Sequence, residues 1–463
     1  MRDFNENKLD FFFLFLSWEM VWLLYNEKTL PCTENMKTPV IVAPGGSSEK
    51  ALVASAFGAE EVYLWVPFTS LRMRQNKVYN FDELKTTIAK LHENGTKALL
   101  TMNIFPRNMD IKVFESVVEQ IADSNPDSII FSDPGTFKII RKYLPNVHLH
   151  LSTQTTTLNY EGVKFWRDLG VKRIVLAREL NIEEIKTIKK EVPDIELEVF
   201  VQGAMCMTYS GRCLLGDYLG WRPANKGECN HSCRFKYKVY LEEERRPGQL
   251  LEVTEDENGE HIFSSRDLCT IDRLQEIIPY VDAMKIEGRS KSEFYVSAMT
   301  LAYKHVRDAI INGTPIDEKI KNLVNVIPHR TYWDGFLFHP LKDFPDGEST
   351  FAEKNLCTTT GTTAGPLFNR NYYGTFSQET IEKDGKIYHK IQPKEEIRRW
   401  MKLHCLSPEG VEGLEILDIL NEKGKEVEKA DCNMKDMYLL TTKSLHGRES
   451  LFVFPEENEN FKG

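Results

Sequence analysis

The chain has 463 residues, 41% of them hydrophobic and 28% charged, with a formal net charge of −10. That balance excludes a disordered or fibrous chain and leaves room for two or three domains, or for one large barrel with an appendage. The excess of acid excludes non-specific nucleic-acid binding through net charge, so any RNA contact needs a local basic patch.

Residues 11–25 read FFFLFLSWEMVWLLY. The run is too short to cross a bilayer comfortably and contains Glu19. It also lacks the basic flank and small-residue cleavage site of a leader. Residues 1–35 are therefore expected to be an extension that is not native, with translation starting at Met36 and no stable membrane association. A weak interfacial anchor is the alternative.

From Val40 onward, short apolar runs alternate with amphipathic stretches. The strand-like runs are VIVA (40–43), EVYLW (61–65), KALLTMN (97–103), SIIFSD (128–133), HLHLSTQ (148–154), RIVLA (173–177), ELEVFVQG (196–203) and AMKIEG (283–288). Helical patterns such as FDELKTTIAKLHENG and NIEEIKTIKKEV lie between them, the latter opened by Asn181 as an N-cap. Eight strands alternating with helices predict parallel pairing and a closed α/β fold, a (β/α)8 TIM-like barrel over residues 36–335. No G-x-G-x-x-G follows the first strand to favour an open doubly wound sheet. The rhythm breaks at 204–282, a long cysteine-bearing insertion after strand seven, which leaves a barrel from the face where active sites form. A helix follows at about 292–312. Residues 345–463 carry short alternating runs, KIYHKI, MKLHCL and SLFVF, which predict a small C-terminal all-β domain.

Five of the nine cysteines, Cys206, Cys213, Cys229, Cys233 and Cys269, fall within 64 residues. In a cytoplasmic protein, clustered cysteines point to a metal or redox site rather than a disulfide framework. The stretch VFVQGAMCMTYSGRCLLGDYLGWRPANKGECNHSCRFKY (199–237) spaces four of them as C-x6-C-x15-C-x3-C. Four soft thiolates complete either a tetrahedral zinc site or a [4Fe–4S] cluster. Structural zinc usually takes two close pairs, and only the second pair here is close, so the spacing leans toward a cluster. Buried free thiols are the bland alternative.

This stretch resembles the signature of the collagenase-like peptidase superfamily, closest to its tRNA-hydroxylating branch. The resemblance runs from Met36 through LSTQ (151–154), SDPG (132–135), LAREL (176–180), SSRDLC (264–269), KIEGRSKSEFYV (285–296) and HRTYWDGFL (329–337). It implies a barrel, a C-terminal β domain and an oxygen-sensitive [4Fe–4S] cluster on Cys206, Cys213, Cys229 and Cys233. It also implies hydroxylation of the wobble uridine of tRNA, with prephenate as cofactor and an electron-donor protein as partner. In some relatives the fourth ligand comes from elsewhere, which makes Cys269 a substitute for Cys233; by itself Cys269 reads as a core thiol. The family commonly has His where this chain has Gln202, and Gln cannot take up a proton near neutral pH.

In such a barrel Asp133, Ser152, Gln154, Arg178 and Glu179 fall at or just past the ends of strands four to six. Lys285, Glu287, Arg289 and Lys291 fall on strand eight and its turn. Gln202, Lys285, Glu287 and Arg289 are the expected catalytic set. Arg72, Asp133, Ser152, Gln154, Arg178, Glu179 and Lys291 are the expected substrate or cofactor contacts, since Arg and Lys together can hold a dicarboxylate. Two readings of K-I-E-G-R stay open, this one and a structural ion-pair ring closing the barrel. For Arg72 and Arg74 a solvated surface loop is the favoured reading over added positive charge at the site. His329, Arg330, Tyr332 and Trp333 either stack on unpaired bases or pack the domains together.

The leading function is an iron–sulfur-dependent RNA-modifying enzyme acting on tRNA. A peptidase is the first alternative, but no H-E-x-x-H, G-x-S-x-G or evident Cys/His pair supports it. A cluster-bearing accessory hydroxylation factor is the second.

Overall fold

A computed structural model describes residues 37–70, 80–205, 208–209, 213, 240–242, 250–252, 267–327, 329, 332–338, 372–434, 436–443, 445 and 451–455. All statements of structure concern these residues.

The first half alternates strand and helix: β1 (Val40–Gly45), α1 (Ser48–Ala56), β2 (Glu61–Trp65), α2 (Phe81–Glu93), β3 (Lys97–Met102), α3 (Ile111–Ile121), β4 (Ser128–Phe131) and α4 (Pro134–Tyr143). It continues with β5 (His148–Leu151), α5 (Tyr160–Asp168), β6 (Arg173–Val175), α6 (Ile182–Glu191) and β7 (Glu196–Ala204). Short strands β8 (Tyr240–Glu242), β9 (Leu250–Glu252) and β10 (Asp267–Cys269) precede α7 (Leu274–Ile277), β11 (Ala283–Ile286) and α8 (Glu293–Asn312). Strands β1 to β7 pair in parallel order, and β11 pairs in parallel with both β1 and β7, which closes an eight-stranded barrel. The expected TIM-like architecture is therefore observed.

Caps set the helix starts. Asn181 Oδ1 accepts from the amides of Glu183 and Glu184, and the Glu184 carboxylate returns a bond to the Asn181 amide, a capping box. Five strands stop short of the sequence expectation: β3 by one residue, β6 by two, and β4, β5 and β11 at identifiable stops. β4 ends before Asp133, which caps α4; β5 ends before Ser152, which opens a 3-10 turn; β11 ends before Gly288. Gly288 has φ +150°, and a Cβ there would lie 2.3 Å from the Tyr295 ring. Strand propensity cannot see such polar or steric stops.

The insertion also adds strand structure that the sequence reading passed over. β10 pairs antiparallel with β7, and β12 (Tyr332–Trp333) pairs parallel with β10. The C-terminal part holds β13 (Gly374–Lys383), β14 (Lys386–Pro393), β15 (Ile397–Arg398), β16 (Lys402–Ser407), β17 (Gly410–Leu420), β18 (Lys429–Ala430), β19 (Met437–Thr441) and β20 (Leu451–Pro455). Six of these close a second, antiparallel barrel in the order β13-β14-β19-β17-β16-β20. Its core includes Ile391, Leu403, Cys405, Ile416, Leu439 and Val453. Phe452 of β20 meets Phe57, beyond α1, at 6.1 Å between centroids, and Phe294 of α8 at 5.8 Å.

Candidate functional site

The lower part of the barrel interior is a buried ion-pair network. Arg173 on β6 donates from Nη2 to Glu61 Oε1 (2.9 Å), from Nε to Glu196 Oε2 (2.9 Å) and from Nη1 to Glu198 Oε2 (3.2 Å). Lys285 on β11 donates to Glu198 Oε1 at 2.6 Å and lies 4.5 Å from the Tyr63 ring centroid. Burial pushes the Glu198 carboxyl up, but Lys285 and Arg173 outweigh it and hold the carboxyl below its ordinary range. Burial lowers the Lys285 ammonium, which Glu198 only partly offsets. Such pairs are costly to break, because the survivor is left charged and dry. For Lys285, the ion-pair reading of K-I-E-G-R is the one the contacts support.

The upper part, toward the strand C-termini, is built differently. The Arg289 guanidinium lies 4.7 Å from the Trp65 ring centroid and 5.4 Å from that of Tyr63, and it donates to Thr101 Oγ1 at 3.2 Å. Asn103 Nδ2 donates to Ser152 Oγ at 3.2 Å, and Ser132 Oγ donates to the Asn103 carbonyl at 3.1 Å. Gln154 is buried, and its Oε1 has no hydrogen-bond partner among the described residues. Trp65 Nε1 and His150 Nδ1 share that condition. Buried polar atoms without partners are uncommon and mark functional cavities or bound water. Arg178 lies 3.8 Å over the Phe200 ring and donates to the Ala204 carbonyl at 3.2 Å, fastening the end of β7 two residues before Cys206.

Other expected site residues have structural partners. Asp133 Oδ1 caps α4 by accepting from the amides of Gly135 (2.8 Å) and Thr136 (3.0 Å). Glu287 is fixed through its backbone, donating its amide to the Gln202 carbonyl at 2.9 Å and accepting from the Tyr295 hydroxyl at 2.7 Å. Lys291 lies 5.4 Å from the Tyr295 ring centroid. Glu179 lines an outer cleft with Asn159, Asn181, Lys186 and Arg273.

Gln202 belongs to a separate cluster. Its Oε1 accepts from the Tyr303 hydroxyl at 2.9 Å, and its amide donates to Tyr332 Oη at 3.4 Å. Cys269 sits beside it, 3.7 Å from the Tyr303 oxygen, and burial pushes its thiol up to about 11. His329 stacks on Tyr332 at 3.8 Å, and Trp333 packs against the cluster of Val175, Phe200, Met205 and Leu268. Packing is thus the reading the contacts favour for this aromatic group.

Cys213 is half-buried. Arg72, Arg74, Cys206, Cys229, Cys233 and Arg330 lie outside the described residues. Among the described residues no group of three or more His, Cys, Asp or Glu side chains could hold a metal ion. No helix among them is long and apolar enough to cross a membrane. Sequence reasoning missed Trp65, Thr101, Asn103, His150, Arg173 and Glu198. A signal was present for two of these: charges inside the strands RIV and ELEVF, where a barrel interior leaves them no water.

The model of peptidase family U32 matches residues 46–343. "tRNA hydroxylation protein P" of Haemophilus influenzae is 35% identical, over 65% of this chain and 74% of that protein. Its Escherichia coli counterpart is 34% identical, over 65% and 75%. A "Collagenase" of Porphyromonas gingivalis is 30% identical, over 64% and 72%.

Proposed function

The chain belongs to peptidase family U32, and from that premise we propose that it is an RNA-modifying enzyme, a hydroxylase of the wobble uridine of tRNA. The observation that carries the reading is the mouth of the barrel. There Arg289 lies against the Trp65 and Tyr63 rings and the Thr101 hydroxyl, Asn103 bonds Ser152, and the buried Gln154 Oε1 has no partner among the described residues. Relatives named for tRNA hydroxylation support the substrate class.

Replacing C–H by C–OH takes two electrons from the base and adds one oxygen atom, so a two-electron acceptor and an oxygen source such as water belong to the reading. Cys206, Cys213, Cys229 and Cys233 offer four soft thiolates starting two residues past β7, at the strand end that Arg178 fastens. That donor set fits a [4Fe–4S] cluster, which when bound would supply one-electron transfer. Prephenate is the proposed cosubstrate, and the proposed redox-protein partner, expected from the sequence as an electron donor, must in this balance take up the two electrons while water supplies the oxygen. Arg289 would hold a carboxylate of the cosubstrate as a bidentate fork. Gln154 Oε1 would accept the imide N–H of a uracil that enters unpaired. The peptidase alternative finds no help at Cys269, whose neighbour is Tyr303 rather than a histidine.

The test begins with anaerobic purification of wild type and of the Cys206→Ala/Cys213→Ala variant, followed by spectra and iron and sulfide quantitation. Absorbance near about 400 nm and about four irons per chain, both lost in the variant, are expected. Mass spectrometry of tRNA nucleosides from cells carrying Arg289→Ala then reads function. The variant should keep its iron yet lose hydroxylation about 100-fold, equivalent to about 2.7 kcal/mol. A colourless zinc protein, or full hydroxylation by Arg289→Ala, would overturn the reading.

A further inference from the structure

Six non-glycine residues among those described have positive φ. Three are Asn125, Asp384 and Asp436, types that tolerate the left-handed region, and a fourth is Thr156. The other two are Phe68 (φ 63°) and Trp400 (φ 66°), bulky aromatics for which that region is a genuine outlier. Both are also strongly exposed, Phe68 at 61% and Trp400 at 66%. Burial therefore does not explain the backbone either adopts.

Each is held in place by its neighbours. Phe68 follows β2 by three residues, on the face where the barrel opens. Thr69 and Ser70, directly after it, are fully buried. Ser70 Oγ accepts from the Val66 amide at 2.9 Å and also bonds the Thr101 hydroxyl and carbonyl. The Thr69 carbonyl accepts from the Ile104 amide at 3.3 Å. The turn is tied to β3 beside Arg289's partner, and the phenyl ring is the part left outside. Trp400 lies between β15 and β16 of the second barrel, its amide donating to the Ile416 carbonyl at 2.6 Å. Arg398, Arg399 and Lys402 flank it in sequence. Glycine or asparagine would satisfy both turns without strain. Strained backbone that persists where the surroundings over-determine it marks a functional contact more often than chance.

We propose that Phe68 and Trp400 are two aromatic platforms that stack on unpaired bases of the RNA substrate, one at the barrel rim and one on the C-terminal barrel. This rests on the RNA-modifying reading above. Base stacking is tolerant of sequence and needs only an exposed, rigidly presented ring. The second barrel thereby becomes an RNA-holding module rather than a passive cap.

The probe is an unmodified tRNA transcript titrated against the full-length protein, with affinity read by filter binding. Phe68→Leu and Trp400→Leu keep an apolar side chain and remove the stacking surface, and each should weaken binding about 10-fold. Phe68→Trp should bind like wild type, with its indole emission quenched on adding RNA. Phe68→Gly and Trp400→Gly relieve the backbone strain, so their melting temperatures should not fall while binding still weakens; this separates stacking from folding. Wild-type binding with an unaffected leucine variant overturns the assignment of that residue and leaves the RNA reading standing. A wild type that binds no tRNA overturns both.

Discussion

The floor of the (β/α)8 barrel and its mouth both bury cations, and they settle them in different ways. On the floor, Arg173 and Lys285 lie against Glu61, Glu196 and Glu198, and polar valences are met by opposite charge. At the mouth, Arg289 is placed by two aromatic faces and a hydroxyl, and Gln154 keeps an acceptor with no partner among the described residues. The first arrangement is closed chemistry, which makes the barrel rigid. The second keeps one buried acceptor, Gln154 Oε1, without a partner among the described residues, which is what a site for a ligand requires.

The sharpest way to break this contrast is Glu198→Ala. It strands Arg173 and Lys285 in a dry interior and should cost about 3–5 kcal/mol of stability, read as a lower urea midpoint. An unchanged midpoint would mean the floor is as open as the mouth. His150 on β5 pairs in register with Arg173 of the floor. Burial first, then the charges of Arg173 and Lys285, hold its imidazole well below the ordinary value of 6.5. The folded state thus stays neutral where the unfolded chain takes up a proton, so stability present above that value is lost as pH falls below it. The slope reaches at most about 1.4 kcal/mol per pH unit. His150→Gln should flatten the melting temperature between about pH 6.5 and 5. The smallest effect tests the edge of the mouth. Asp133→Ala should cost about 1 kcal/mol through its lost cap and leave hydroxylation unchanged. A large loss of hydroxylation at full stability would return Asp133 to the site.

What the sequence exposed was whatever repeats or is local. Eight apolar runs gave the barrel, and Asn181 marked a helix start that the structure shows, completed by a capping bond from Glu184. What stayed hidden depends on long-range geometry. Arg173 and Glu61 are 112 residues apart and meet only when the sheet closes. K-I-E-G-R reads as one basic motif, yet Gly288 turns the chain so that Lys285 points into the floor and Arg289 into the mouth. Gln202 sits in a strand of the barrel, but its amide is taken by Tyr303 and Tyr332, which no period-two pattern foretells.

The aromatic contacts of Phe452 have a consequence for how the chain assembles. Phe57 and Phe294 belong to the first and last helical layers of the large barrel, and they flank the seam where β1 meets β11. That seam joins residues some 240 positions apart, the slowest kind of pairing to find. Its outer aromatic cover reaches the ribosome exit only with β20, well after the large barrel has been made. Until then the nascent chain carries an exposed oily joint, and a truncation before residue 450 would leave it exposed permanently. Such a shortened chain is expected to depend on chaperones, however complete its catalytic half.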